Sequence, residues 1–168
     1  RVRGVSQERP LAMTPGAAAP RDLCTDCGIS RTAQPKRCGQ ACQFIRPDYP
    51  GLEAAVHGRA RDPDRDDELF FGPYRRMLRA SLSEPLPGAQ WTGITTRLAE
   101  QLLASGSVDA VLTMQPDPDD RWRPVPVLVT SVDELASCRG MRMGYAPLLA
   151  LVEPALEAGY RRLAVIGI

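Results

Sequence analysis

The chain has 168 residues, 43% of them hydrophobic, which suits one domain, or one and a half, with a buried core. Its 21 basic and 20 acidic residues leave a net charge of +1, without the basic excess of nucleic-acid and membrane-surface binders. No apolar run approaches the roughly 20 residues a membrane span needs, so neither nucleic acid nor a bilayer core is an expected partner.

Residues 1–22 carry Pro10, Pro15, Gly16 and Pro20 among alanines and read as a flexible lead-in without period. They lack the apolar stretch of an export signal, so the cysteines are expected in a reducing compartment. Both ends read as cut: the first residue is Arg, and the chain stops inside the apolar run "RRLAVIGI".

Residues 23–50 form a cysteine-rich module. "LCTDCGISRTAQPKRCGQACQF" holds four of the five cysteines, spaced Cys24-x2-Cys27-x10-Cys38-x3-Cys42. A C-x-x-C pair puts two sulfurs on one tight turn, where Gly28 can take a backbone angle closed to other residues. Backbone N–H groups in such a turn point at sulfur and stabilise its negative charge. Two pairs supply the four thiolates of a tetrahedral site or a cubane cluster. The module has little to bury and needs an inorganic staple. In a reducing compartment metal ligation is favoured over disulfides. The spacing leaves zinc and iron–sulfur both open, although the second pair suits a helical turn better than a zinc knuckle.

Residues 51–84 read as a connector and a helix. "GLEAAVHGRARDPDRDDE" is polar and is expected to be exposed; it contains His57, the only histidine, which reads as a surface residue. Leu69, Phe70, Tyr74, Met77, Leu78 and Leu82 then make a helical stripe, with a break expected near Gly72-Pro73.

Residues 85–168 carry the remaining elements. Pro85, Pro87 and Gly88 make a loop. A helix from about Thr92 has Ile94, Leu98, Leu102 and Leu103 on one face and is closed by Gly106. Val108–Gln115 is a strand, 116–124 a turn-rich excursion, and Val125–Ser131 a second strand, antiparallel to the first. Ser131 and Glu134 are spaced as a capping box for a short helix. A Gly-rich loop, a helix stopped by Gly159 and a last strand follow. The order predicts an α/β or α+β layer architecture with a mixed sheet behind a cysteine-rich head.

The loop "PGAQWTGITT" before the long helix is the second candidate site. A helix N-terminus offers unpaired N–H groups and the positive end of its dipole to a phosphate. Gly88 and Gly93 flank Gln90, Trp91 and Thr92; Thr92, Thr95 and Thr96 add hydroxyls, and Trp91 offers a flat face to a ring system. The plainer alternative is a capped helix with a loop tryptophan in the core. Arg139 and Arg142 could clamp an anion or simply lie on a surface loop. Asp117, Asp119 and Asp120 read as a solvated turn, and Cys138 as a buried thiol.

"GAQWTGITTRLAEQLLASGSVDAVL", preceded by "HGRARD" and "DELFFGPY" and followed by "DPDDRWRPVPVL" and "ELASCRG", resembles the coenzyme F-420 hydrogenase/dehydrogenase beta-subunit family. The resemblance runs from about Leu23 to Ile168. Its nearest branch contains the ferredoxin-dependent reductases of chlorophyll-type tetrapyrroles. The resemblance implies an oxidoreductase with 4Fe–4S clusters and FAD. Electrons would come from reduced ferredoxin to reduce the 8-vinyl group of divinyl (proto)chlorophyllide. The implied setting is the bacterial cytoplasm, beside photosynthetic membranes. It also implies Cys24, Cys27, Cys38 and Cys42 as cluster ligands. Gly88, Gln90, Trp91, Thr92, Gly93, Thr95 and Thr96 would hold the flavin, as the N-terminal part of an incomplete flavin-binding domain. Other substrates within the family are 7-hydroxymethyl chlorophyll and coenzyme F-420. Outside it, a non-catalytic zinc-binding interaction module is the alternative. Family members carry C-x-x-C-G-x-C near the start; here Ser30 stands at the third cysteine's place and Cys38 appears instead. No catalytic proton donor is identified by sequence.

Overall fold

The computed structural model describes residues 24, 26–33, 35, 38–42, 44, 47–142 and 144–167. The predicted lead-in, residues 1–22, lies outside the described residues. A 3-10 turn at Ile29–Arg31 precedes α1 (Cys38–Ala41), α2 (Tyr49–His57), α3 (Asp66–Phe71) and α4 (Ile94–Ala104). Then come β1 (Ala110–Pro116), β2 (Pro124–Val129), α5 (Val132–Leu135), a 3-10 turn at Leu148–Leu151 running into α6 (Val152–Glu157), and β3 (Leu163–Val165). The architecture is mixed α+β. Its contacts divide it into a helical unit, Gly39–Ala80, and a sheet unit made of the residues before Gly39 and Ser81–Ile168.

In the sheet unit the strand order is β2-β1-β3, with β2 antiparallel and β3 parallel to β1. The central strand is the most apolar: Ala110, Val111 and Leu112 are fully buried. Its two faces feed two clusters, as period-two alternation requires. Val111 packs with Ala99, Val129 and Leu135, and Leu112 with Leu148, Leu151 and Ala155. Cys138 packs at the edge of the first cluster, and its burial raises the thiol pKa. The expected capping box is present: Ser131 Oγ accepts from the Glu134 N–H at 3.4 Å, and Glu134 Oε2 accepts from the Ser131 N–H at 3.2 Å. Asp109 fixes the start of β3 by accepting from the Arg161 and Arg162 N–H groups, both at 2.9 Å.

Three local expectations are corrected. Helix α4 starts at Ile94 rather than Thr92, because Gly93 sits in the left-handed region at φ 87. Its buried face carries Ala99 and Glu100, while Leu98 and Leu102 are exposed. Glu100 is drawn inward by two arginines, which turns the helix away from the purely apolar stripe. The stretch 51–68 is no bare connector: most of α2 and the start of α3 lie within it. The break expected at Gly72-Pro73 is present, with the helix ending at Phe71 and Gly72 at φ 68, but the rest of the predicted stripe, 74–82, is not helical.

The helical unit is stitched by charge. Arg59 donates to both oxygens of the buried Glu68, at 2.6 and 2.5 Å, and Arg65 pairs with the same carboxylate at 3.1 Å. The Asp62 N–H adds a bond at 2.9 Å. Arg61 pairs with Glu53, and its N–H donates to the same carboxylate at 2.9 Å. The Arg59 guanidinium, then the Asp62 N–H, hold the Glu68 carboxyl at about 2, far below its ordinary 4.5.

Candidate functional site

The loop before α4 is built from tight backbone turns. The Ala89 N–H donates to Leu86 O at 3.2 Å, Gly93 N–H to Gln90 O at 3.2 Å, and Leu86 N–H to Thr92 O at 3.1 Å. Thr92 Oγ1 accepts from the Leu82 N–H at 3.1 Å, so this hydroxyl ties the loop to the segment before it. Gly93 has no room for a side chain: a Cβ there would lie 2.9 Å from Ala89 Cβ and 3.0 Å from Leu86 Cβ. Gly88 also has a positive φ, 74, but faces open space.

Trp91 is the unusual residue of the loop. It holds φ 52, a left-handed angle rare for a bulky side chain, and is 90% exposed. The reading of Trp91 as a core residue is therefore overturned: the loop presents the indole outward. Strain of this kind is kept where the surrounding turns over-determine it, and it points to use. Gln90 and Thr95 are exposed, and Thr96 is half-buried. Gly93 supplies no side-chain cap for α4, and the first intrahelical bond runs from the Arg97 N–H to Gly93 O at 2.9 Å. All seven predicted loop residues thus lie in one short segment at a helix N-terminus bare of a side-chain cap.

A brace holds this segment from behind. Glu100, buried on α4, pairs with Arg97 at 2.7 Å and with Arg139 at 2.9 Å. Arg139 also donates to Pro87 O at 3.3 Å, and Arg142 donates to Arg139 O at 2.9 Å. Of the two arginines read as an anion clamp, Arg139 is engaged by Glu100 and Pro87 O, and Arg142 binds carbonyls of its own loop. Sequence reasoning missed Glu100; the Arg97/Glu100 spacing of three on a helix was the available signal.

The described cysteines form no disulfide. Cys24 is exposed, and Cys27, Cys38 and Cys42 are half-buried. Among the described residues no three of His, Cys, Asp and Glu are gathered as a metal site. The donor chemistry nevertheless suits thiolate ligation. The Asp26 N–H points at Cys24 Sγ at 3.4 Å, and both Asp26 (φ 50) and Gly28 (φ 103) are left-handed, as the C-x-x-C turn requires. Cys38 lies on α1, and Cys42 directly follows it, in line with the helical reading of the second pair.

Elsewhere, Asp117 Oδ1 accepts from the Asp119 and Asp120 N–H groups at 2.9 and 3.3 Å, and Oδ2 accepts from Arg123 Nε at 3.1 Å; the acidic turn is self-satisfied. The Tyr74 hydroxyl donates to Asp67 at 2.7 Å, which raises its pKa. Among the described residues no helix is long and apolar enough to cross a membrane.

Comparison with known proteins is consistent across the chain. It is 40% identical over 169 residues to the chloroplastic 7-hydroxymethyl chlorophyll a reductase of Oryza sativa, covering 96% of this chain and 35% of that protein. It is 34% identical to an uncharacterized protein of Nostoc, over 96% of this chain and 41% of the other. A third relative, from the F(420)H(2) dehydrogenase of Methanosarcina mazei, is 30% identical over 55% of this chain and 26% of its own. The chain therefore spans about a quarter to two fifths of the length of these relatives. The family described as "Coenzyme F420 hydrogenase/dehydrogenase, beta subunit N-term" matches residues 77–153, the stretch containing the Trp91 loop, α4 and the β1–β2 hairpin. Residues 77–153 thus carry the N-terminal domain of the coenzyme F420 hydrogenase/dehydrogenase beta-subunit family.

Proposed function

We propose that this chain is part of an iron–sulfur flavoprotein that reduces a chlorophyll-type tetrapyrrole with electrons from reduced ferredoxin. The observation that carries the reading is the 40% identity, along 96% of the chain, to a chlorophyll reductase. The group reduced is the 8-vinyl substituent of divinyl (proto)chlorophyllide. A second substrate, 7-hydroxymethyl chlorophyll, is favoured by the activity for which that same relative is named.

In this reading Cys24, Cys27, Cys38 and Cys42 supply the thiolates of a 4Fe–4S cluster, with the Asp26 N–H compensating charge on Cys24 Sγ. Gly88, Gln90, Trp91, Thr92, Gly93, Thr95 and Thr96 receive FAD. The bare N-terminus of α4 takes the diphosphate, and the outward indole of Trp91 takes a flat ring. Held there, the cluster would supply single-electron chemistry and the flavin two-electron chemistry. The chain's own task is to seat both groups without reorganisation. The Glu100–Arg139 brace and the Leu82–Thr92 bond do this for the flavin loop.

The test is an anaerobic preparation of the full-length protein. Flavin bands and broad thiolate–iron absorbance are expected, with ethyl product from divinyl chlorophyllide in the presence of reduced ferredoxin. Turnover of 7-hydroxymethyl chlorophyll alone selects the second substrate, and turnover of coenzyme F-420 alone refutes the tetrapyrrole reading. A preparation with zinc and neither iron nor flavin would leave only a binding module. Trp91→Ala is expected to weaken flavin retention by roughly fivefold, given about 1 kcal/mol for an aromatic stack; unchanged retention removes Trp91 from the site.

A further inference from the structure

We propose that Gly28 and Glu153 are positioning residues for Cys27: they fasten the C-x-x-C turn to the sheet unit so that the thiols are placed before a metal arrives. The inference rests on the reading of Cys27 as a cluster ligand.

The fastening has three points. Cys27 O accepts from the Leu149 N–H at 2.7 Å. Gly28 is buried at φ 103, and a Cβ there would stand 2.4 Å from Ala150 N and 2.7 Å from Pro147 O. Those neighbours are backbone atoms, which cannot swing aside as a side chain can. Glu153 completes the seat: both its carboxylate oxygens lie 2.9 Å from the Ala33 nitrogen and accept its N–H. The 3-10 turn that receives Cys27 is itself rooted in the core, because Leu148 and Leu151 pack with Leu112 of β1. One hydrogen bond therefore separates the ligand turn from a turn packed on the central strand.

The physical consequence is pre-organisation. A free-standing C-x-x-C knuckle is ordered by its metal, and the ordering cost comes out of the metal's binding energy. Here the sheet unit has already met that cost for Cys27. Outer-shell partners of this kind are worth about 10–100-fold in metal affinity.

The experiment uses the full chain and two readouts. Ferrous-ion affinity is measured anaerobically by chelator competition, and amide hydrogen exchange is measured on the metal-free protein. Gly28→Ala is expected to bind iron about 10–100-fold more weakly and to lose protection at the Leu149 amide without metal. Glu153→Gln is expected to weaken iron binding in the same direction, by roughly threefold, and to expose the Ala33 amide. Gly39→Ala, in the same module, places its methyl where nothing lies within 4 Å and is expected to match wild type. Wild-type iron affinity in Gly28→Ala, or unchanged Leu149 exchange, overturns the proposal. Should Gly28→Ala not fold, Glu153→Gln decides alone, and wild-type values in both readouts overturn it. Should the wild type bind no iron, the cluster reading falls. The exchange readout still decides the fastening.

Discussion

The two units of this chain reach order by different physics. The sheet unit buries aliphatic side chains: Val111, Leu112, Leu135 and Leu148 are at most 2% exposed. In the helical unit Pro73 is the one buried apolar side chain among the described residues; Val56, Phe70, Phe71 and Leu78 are each at least 65% exposed. The buried side chain at its centre is a carboxylate, Glu68, held by Arg59 and Arg65. Apolar burial is non-directional and additive, whereas a buried ion pair works only with every partner in place. The sheet unit should therefore answer to lost volume and the helical unit to lost charge.

The largest effect tests the sheet unit. Leu112→Ala removes a fully buried side chain between β1 and the turn at Leu148–Leu151. It is expected to cost about 2–5 kcal/mol, read as a lower melting temperature and lost amide protection along β1 and β2. A loss near zero would show that the sheet unit does not depend on this core.

Next comes Glu68→Gln, which preserves shape and removes charge. The amide cannot accept from Arg59 and Asp62 on both oxygens as the carboxylate does. Amides whose bonds close the two helices, Gly58 to Ala54 O and Gly72 to Glu68 O, are expected to exchange roughly tenfold faster. Unchanged exchange there breaks the comparison, because it would make the ion pair ornamental.

Acid separates the units by a smaller margin. Glu68 is held at about 2 against an ordinary 4.5, so its contribution is complete above about pH 4.5 and is lost as pH falls towards 2. Asp109 in the sheet unit is also held at about 2, first by the backbone N–H of Arg162, but from an ordinary 3.8. Protection at Gly72 is expected to decline from about pH 4.5 downward, before that of the β1–β2 amides. The reverse order would contradict the assignment of stability to charge in the helical unit.

The same division decided what could be read in advance. The strands and the Ser131 capping box were legible, because apolar runs and cap spacing are local signals. The region 51–68 was not: its partners lie six to nine residues apart and are polar, so no periodicity marks them. Leu98 misled for a related reason, since the pull on Glu100 comes from Arg139, 39 residues away. In the site, the Gly-rich loop and the C-x-x-C turn were visible as composition. The outward strain of Trp91 was not, because it is set by the turn geometry around it, nor was the fastening of Gly28 against Pro147 and Ala150, which depends on tertiary contact.

Salt offers the finest discrimination. Raising ionic strength from about 0.05 M to about 1 M shortens the screening length from roughly 14 Å to roughly 3 Å. The Arg59, Arg61 and Arg65 side chains are 48%, 31% and 52% exposed, so solvent ions reach one side of each pair. Contact pairs are only partly screened, and exchange at Gly58 and Gly72 is expected to rise by roughly two- to threefold. The β1–β2 amides should not follow, because added salt does not weaken apolar burial. A parallel rise in both units would mean that the helical unit's charges contribute nothing distinctive. Its order would then have to come from Asp48 capping α2 and from the turn geometry at Gly58 and Gly72.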